Sequence, residues 1–193
     1  WVPQDHEVAQ SIAEYKNFSS STRMVVRPHF SDVKNHRFDY LDKYSSVHVD
    51  TCFTLSDFFM DNWNPGLEEI KYFTNLVYHC DILITTASTL SLDVAAFDKP
   101  IINLAYGGLF DKHTGEDITH TLYNTVHSQW VVDTGAVELV KSEQELFAAI
   151  NHYLEHPEYK QKERDILLEL LCYRVDGRCS ERIVDVITDQ INK

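Results

Sequence analysis

The chain has 193 residues, of which 44% are hydrophobic, and this is enough apolar material for one well-buried domain. Its formal net charge of −13 argues against a protein that binds the phosphate backbone of nucleic acids through clustered cations. A small phosphate site remains compatible with this charge, because backbone N–H groups at a helix start bind anions whatever the overall charge.

The four cysteines form no CxxC pair and no dense framework. They are Cys52, Cys80, Cys172 and Cys179. We expect reduced thiols, which suit a cytoplasmic protein. No apolar run approaches the roughly 20 residues that a membrane-spanning helix needs. Trp1 stands where an initiator Met would be, so we expect residues 1–193 to be a single domain excised from a longer, two-domain chain.

The first elements along the chain are two helices and two short strands. Residues 4–15 carry apolar side chains at a helical spacing. Residues 24–26 form a β-rich run that stops at an Arg-Pro pair, as a buried strand does, and residues 47–49 are a weaker strand candidate. The apolar periodicity of residues 67–79 predicts the second helix.

A strand–helix–strand unit follows. Residues 81–85 and 101–104 are short apolar runs, typical of strands that are covered on both faces. Residues 90–97 between them read as a helix, so the unit fits a parallel crossover. Two further apolar runs, at residues 130–132 and 137–140, flank a Thr-Gly pair.

Three helices are predicted to complete the chain. The first begins at Ser142, with Glu145 at the capping-box position, and ends near Glu155. The other two cover residues 158–171 and 180–191. Strands that alternate with helices predict an α/β fold, a Rossmann-like doubly wound parallel sheet.

The segment most informative about chemistry is residues 80–104, CDILITTASTLSLDVAAFDKPIINL. In doubly wound sheets, ligands bind beyond the carboxyl ends of the strands, where loops lead into helices. Ser88 and Thr89 lie at such a point, where hydroxyls and the first N–H groups of a helix can bind a phosphate. Asp93, one turn further, can accept hydrogen bonds from ribose hydroxyls. An ordinary helix cap explains the same residues, so both interpretations stay open at this point.

Four segments together resemble the carboxyl-terminal domain of GT-B glycosyltransferases, and most closely the CDP-glycerol glycerophosphotransferase-like and surface-polysaccharide transferase families. They are RPHF at residues 27–30, the segment 80–104, the helix segment 140–157, and YRVDGRCSERI at residues 173–183. The resemblance spans roughly residues 23–187. Phe30 stands where these families usually have proline, and Asp93 where they often have glutamate.

The resemblance implies the donor-nucleotide-binding half of a glycosyltransferase or glycerophosphotransferase of surface-glycan biosynthesis. Its substrate would be a nucleotide-activated sugar or polyol, with no cofactor. Ser88, Thr89 and Asp93 would hold the donor, and Arg27 would contact its phosphate.

Two histidines complete the implied site. His29 is the candidate catalytic residue, because an imidazole near its reference pKa binds phosphate as a cation or transfers a proton. A structural hydrogen bond within the loop is the alternative for His29. His127 would contact the nucleotide. A metal shared by His113, His120 and His127 is not expected, because seven residues on a helix separate side chains by ~10.5 Å.

The remaining expectations concern the rest of the protein. The amino-terminal acceptor domain is missing from residues 1–193 and is expected in the part of the longer chain that precedes Trp1, and the isolated domain is expected to be inactive. We expect the protein in the cytoplasm, at the inner face of the membrane, and its peripheral association with that membrane stays open.

Two other functions fit the same fold. One is a UDP-sugar 2-epimerase, and the other is a non-catalytic domain that senses a nucleotide or docks a partner. Fold alone does not decide between them.

Overall fold

The computed structural model describes residues 4–18, 21–54 and 63–191. Its α-helices are α1 (Asp5–Glu14), α2 (Leu67–His79), α3 (Leu90–Ala95), α4 (Val126–Asp133), α5 (Glu143–Glu155), α6 (Gln161–Cys172) and α7 (Cys179–Ile191). Its strands are β1 (Met24–Val26), β2 (Val47–Val49), β3 (Leu83–Thr85), β4 (Ile101–Leu104) and β5 (Glu138–Val140). Short 3₁₀ helices cover Phe30–Asn35, Asp39–Lys43 and Thr119–Asn124.

The described strands form two parallel sheets. β1 pairs with β2, and β3, β4 and β5 form a three-stranded sheet in that order. The predicted parallel crossover from β3 through α3 to β4 is confirmed, with Leu83 opposite Ile101. Because the strands are parallel, the loops after β3, β4 and β5 leave the same edge of the sheet, which we call the carboxyl edge.

Helices cover both faces of the three-stranded sheet. Successive side chains of a strand point to opposite faces, and β4 shows this clearly. Ile102 and Leu104 belong to an apolar cluster with residues of α1 and α5. Ile101 belongs to a second cluster with residues of α2, α3 and α6. The predicted doubly wound, Rossmann-like α/β fold is therefore confirmed.

Helix α1 connects the two sheets. Its Val8 packs in the cluster beneath β4 and β5, while Ala9 packs against the cluster of β1 and β2. That last cluster is closed by Phe38 and Leu41, which lie next to or within the 3₁₀ helix Asp39–Lys43. The two sheets therefore share one helix as a common support.

The end of the three-stranded sheet opposite the carboxyl edge is called the amino edge. There Arg164 connects α6 to the turn before β4. Arg164 is 1% exposed and its Nε donates to Asp98 Oδ1 at 2.8 Å. Its Nη1 and Nη2 donate to the carbonyl oxygens of Tyr159 (2.7 Å) and Pro157 (3.2 Å). A buried guanidinium with this many partners holds the turn, the helix and the preceding loop in one arrangement.

Some element boundaries differ from the prediction. The helix predicted from residue 158 begins at Gln161, because Lys160 has a left-handed backbone with φ 62°. The helix predicted to end at residue 97 ends at Ala95, three residues before another left-handed residue. The apolar run at residues 130–132 lies within α4. A run of three residues has no period that could tell a strand from a helix.

Helix α7 contrasts with the others because it contains no buried residue. Five aliphatic side chains are more than half exposed on it; they are Ile183, Val184, Val186, Ile187 and Ile191. Among the helices that the structure describes, none combines the length and the apolar character that crossing a bilayer requires.

Candidate functional site

The loop between β3 and α3 leaves backbone donors open at the carboxyl edge. Ser88 and Thr89 are both exposed. Ser88 Oγ accepts the N–H of Leu90 at 3.2 Å, whereas the Thr89 side chain makes no capping bond, so Ser88 is the cap of this turn. Within the described ranges, the N–H groups of Ser88 and Thr89 have no acceptor. Among the described residues, two N–H groups and the Thr89 hydroxyl of this exposed loop are therefore left without a hydrogen-bond partner.

Helix α3 has six residues, so its macrodipole is small. Its first turn is closed by short-range bonds, from Ser91 N–H to Ser88 O (3.3 Å) and from Leu92 N–H to Thr89 O (2.9 Å). An anion here would be bound by the individual N–H and hydroxyl groups of the loop rather than by a long helix.

Asp93 lies one turn further along α3. More than a third of its surface is exposed, yet desolvation by the surrounding protein raises the pKa of its carboxyl. Burial and then the charge of Asp93 also raise the pKa of the Cys172 thiol, so Asp93 lies towards the last turn of α6. Within the described residues the Asp93 carboxylate accepts no hydrogen bond, so its acceptor sites are available.

The loop after β4 is built differently. Asp117 Oδ2 accepts the N–H of Gly107 at 2.6 Å, and Thr119 Oγ1 accepts those of Gly108 (2.9 Å) and Leu109 (2.8 Å). Thr119 is fully buried, and its hydroxyl donates to Asp117 Oδ1 at 2.6 Å. Burial alone would raise the pKa of Asp117, but the hydrogen bonds from Thr119 and Gly107 outweigh it and lower the pKa.

Gly107 brings this loop close to α1. It has φ +71°, a backbone conformation that side chains disfavour, and a Cβ built on it would lie 2.9 Å from Val8 Cγ2. The N–H of Gln4 donates to Gly108 O at 3.2 Å. The loop after β4 is therefore fixed by its own side chains on one side and by α1 on the other.

The loop after β5 also contains its own acids. Ser142 Oγ accepts the N–H of Glu145 at 3.2 Å, which confirms the predicted cap. Glu145 Oε2 accepts the N–H of Lys141 at 2.7 Å rather than that of Ser142, so the reciprocal bond reaches one residue further back. Glu143 adds a second carboxylate to this helix start. An anion would meet like charge here, as it would at Asp117.

The other predicted site residues lie on different elements. Arg27 directly follows β1 and forms an ion pair with Asp50, which directly follows β2. His29 is exposed, and its Nδ1 lies 2.7 Å from Ser31 Oγ and accepts the Ser31 N–H at 3.3 Å. The structural hydrogen bond considered as the alternative for His29 is thus present.

His127 is exposed in the first turn of α4, with Nε2 3.5 Å from Thr125 Oγ1. The structure therefore groups Ser88, Thr89 and Asp93, and the roles of all these residues stay predictions. Within the described ranges, no three His, Cys, Asp or Glu side chains come close enough to hold a metal ion.

A family model described as CDP-Glycerol:Poly(glycerophosphate) glycerophosphotransferase matches residues 67–189. The chain belongs to this glycerophosphotransferase family. It therefore belongs to a transferase family, as the resemblance of its motifs implies. No curated protein matches the chain.

The glycerophosphotransferase match runs from α2 into α7, so it contains the whole β3–α3–β4 unit. Ser88, Thr89, Asp93 and His127 lie inside the matched residues, whereas Arg27 lies before them.

Three residues that hold the loops after the strands were not predicted from the sequence. Asp117 and Thr119 hold the loop after β4, and Asp50 holds Arg27. The sequence contains a Gly-Gly pair with an acid and a threonine about ten residues later. This pattern indicates hydrogen bonds between them only if the loop is already known to fold back on itself. Asp50 gives a clearer signal, because it directly follows a predicted strand at the edge where ligands bind.

Proposed function

We propose that the chain is the donor-binding half of a GT-B-type transferase that uses a nucleotide diphosphate carrying a polyol or sugar. CDP-glycerol is the first donor to test, and poly(glycerophosphate) the first acceptor, because the family's description names both. Residues 1–193 would form the single nucleotide-binding domain of this enzyme.

The observation that carries the proposal is the contrast among the loops of the carboxyl edge. The loops after β4 and β5 hold carboxylates of the chain itself at their N–H groups. The loop after β3 instead presents the open N–H groups of Ser88 and Thr89 together with the Thr89 hydroxyl. Donors of this kind suit phosphate oxygens.

The arrangement supports electrostatic rather than nucleophilic catalysis. With a CDP-glycerol donor, an acceptor hydroxyl attacks the phosphorus that bears glycerol, and CMP leaves with the bridging oxygen and its negative charge. N–H groups at Ser88 and Thr89 would stabilise that charge as it develops. His29 would take the proton of the acceptor hydroxyl or hold a phosphate oxygen as a cation.

Asp93 would recognise the ribose, because a carboxylate with open acceptor sites can accept hydrogen bonds from both ribose hydroxyls. His127 would contact the base or sugar of the nucleotide from the start of α4. Asp93 and His127 would thus both contact the nucleoside end of the donor, whereas Ser88 and Thr89 would contact its phosphates.

A ligand series tests the proposal. Thermal unfolding is measured with CDP-glycerol, CDP, CMP and cytidine, and with UDP and GDP for the base. A ligand at ~100 times its Kd adds about 2.7 kcal/mol of stability. We expect CDP-glycerol and CDP to raise the melting temperature and cytidine to have little effect, because the diphosphate supplies the contacts with the β3 loop.

The proposal is wrong if none of the six ligands raises the melting temperature above that of the ligand-free protein. A rise with cytidine as large as that with CDP would show that the phosphates do not bind at open N–H groups. CMP release from CDP-glycerol, measured on the same sample without acceptor, is expected to be absent, because the reaction needs the acceptor-binding half.

A further inference from the structure

Arg27 and Asp50 occupy equivalent places in the two-stranded sheet. Val26 lies opposite Val49 in the parallel register, and the N–H of Asp50 donates to Val26 O at 2.8 Å. Arg27 and Asp50, which follow these two valines, are therefore brought side by side, and their side chains form an ion pair. The side chain of Arg27 is 13% exposed and that of Asp50 2%, so bulk solvent screens this pair little.

The guanidinium of Arg27 has further partners from the loop after β2. Its Nη2 donates to Cys52 O at 3.3 Å, while the N–H of Cys52 donates to Asp50 Oδ1 at 3.0 Å. Arg27, Asp50 and the backbone of Cys52 are thus all hydrogen-bonded to one another. A phosphate that approached Arg27 would compete with a carboxylate already in place.

Aromatic rings enclose the same guanidinium. The ring centroid of Phe53 lies 4.0 Å from its central carbon. Three more ring centroids lie within 6.0 Å, those of Phe73, Trp63 and Tyr72. A planar cation is stabilised by such rings and is at the same time shielded by them from an anion in solution.

From these contacts we infer that Arg27 is a positioning residue for His29, with Asp50 as its partner, and not a ligand of the donor phosphate. The inference rests on the proposed function, because it concerns how His29 is held at the donor site. Pro28 separates the two residues and restricts the backbone between them, so a fixed Arg27 sets where the loop begins. On its other side, His29 caps the 3₁₀ helix Phe30–Asn35.

Binding measurements on two single variants separate a positioning residue from a ligand. Arg27→Met and Asp50→Asn, and the double variant, are titrated with CDP and with cytidine. A positioning pair predicts that each single variant weakens CDP binding by the same factor, about tenfold, and that the double variant is no weaker. A phosphate ligand predicts opposite effects, because Asp50→Asn would release the guanidinium for the diphosphate. Opposite effects overturn the inference.

The ring signals of His29 give a second readout that does not depend on nucleotide binding. In NMR spectra of the chain, the Cε1–H cross-peak of His29 is expected to move in both single variants. It should stay in place in Arg174→Met, a matched change of an exposed arginine. An unmoved His29 peak in Arg27→Met and Asp50→Asn overturns the inference, even where stability falls.

The same variants keep the two proposals distinguishable. A wild-type chain that binds no CDP contradicts the proposed function, while the His29 peak still decides the role of Arg27.

Arg27→Lys replaces Arg27→Met if the latter fails to fold, since lysine keeps the charge and loses the planar guanidinium. Urea unfolding is expected to show about tenfold larger unfolding constants for each single variant and little further increase for the double variant. Additive effects count against the pair.

Discussion

The loops after β3 and β4 leave the same edge of the same sheet, yet they satisfy their backbone groups in opposite ways. After β4, Asp117 and Thr119 accept the N–H groups of three successive residues. After β3, the N–H groups of Ser88 and Thr89 have no acceptor among the described residues. Neighbouring loops of one sheet therefore differ in how their backbone donors are satisfied. The loop after β4 uses side chains of the chain itself, and we propose that the loop after β3 uses the phosphates of the donor.

The acids of the two loops make the same distinction. Hydrogen bonds lower the pKa of Asp117, because donors of the protein surround its charge. Desolvation raises the pKa of Asp93, because its charge has no described donor. The pKa values of an acid that stabilises the folded chain, Asp117, and of the acid that we propose to bind the ribose, Asp93, thus shift in opposite directions.

The largest loss of stability is expected at the amino edge, the end of the three-stranded sheet opposite the carboxyl edge. It tests whether donor binding depends on the loops of the carboxyl edge alone. Arg164→Met keeps the volume of the buried side chain but removes the donors to Asp98 and to two carbonyl groups. We expect unfolding to become about 3 kcal/mol easier. CDP affinity of the folded protein, measured by calorimetry, should not change. Lys162→Met, two residues earlier and exposed, should alter neither quantity.

The next effect breaks the loop after β4. Thr119→Val removes the acceptor of two N–H groups at a fully buried position, and we expect a loss of about 2 kcal/mol in urea unfolding. Thr119→Ser keeps an acceptor and should recover most of the loss. Thr188→Val in the exposed α7 is the matched control. Wild-type stability of Thr119→Val would show that this loop is not held by its threonine.

The loop after β3 should show the reverse pattern. Ser88→Ala combined with Thr89→Val removes two hydroxyls at an exposed position, so the expected stability loss is at most about 1 kcal/mol. CDP affinity should fall about tenfold, because both hydroxyls are expected to contact the phosphates. Ser180→Ala with Thr188→Val is the control. A large stability loss with unchanged affinity would make this loop a structural one, like its neighbour.

The smallest effects concern pH. Asp117 has a folded pKa below its ordinary value of 3.8, so its contribution to stability is present above pH 3.8 and is lost as the pH falls through the folded pKa. Asp117→Asn should therefore flatten the acid side of the stability curve. The check is the free energy of unfolding in urea between pH 2 and 7, compared with the wild type.

Asp93 should behave in the opposite way. Its folded pKa lies above 3.8, so stability falls as the pH rises from 3.8 through the folded pKa. Asp93→Asn removes this cost, and at neutral pH we expect a gain of about 0.5 kcal/mol or less because Asp93 is partly exposed. Asp189→Asn, also exposed, should show no such gain. A loss of stability in Asp93→Asn would mean that its charge has a partner.

Much of the fold could be predicted from local pattern. The apolar period of residues 67–79 predicts α2 with both ends correct, because thirteen residues contain several turns of the repeat. Ser142 predicts the start of α5, because a cap acts on its own neighbours. Residues 130–132 failed to reveal α4, since packing rather than local sequence decides the state of so short a run.

The site was predictable only in part, for a related reason. Ser88, Thr89 and Asp93 lie within six residues, so one strand–helix junction brings them together. The partnerships of Arg27 with Asp50 and of Gly107 with Asp117 join residues that are 23 and 10 positions apart. Such contacts depend on strand register and loop course, which residue types alone do not determine.

Because Gly107 lies so close to Val8, we expect the residues at these two positions to constrain each other during evolution. Any side chain at 107 would meet the valine methyl and a disfavoured backbone angle at once. Members of the lineage that replace this glycine should therefore carry a smaller residue at the position of Val8, or a displaced first helix. The two positions are expected to change together over time, although the chain separates them by almost a hundred residues.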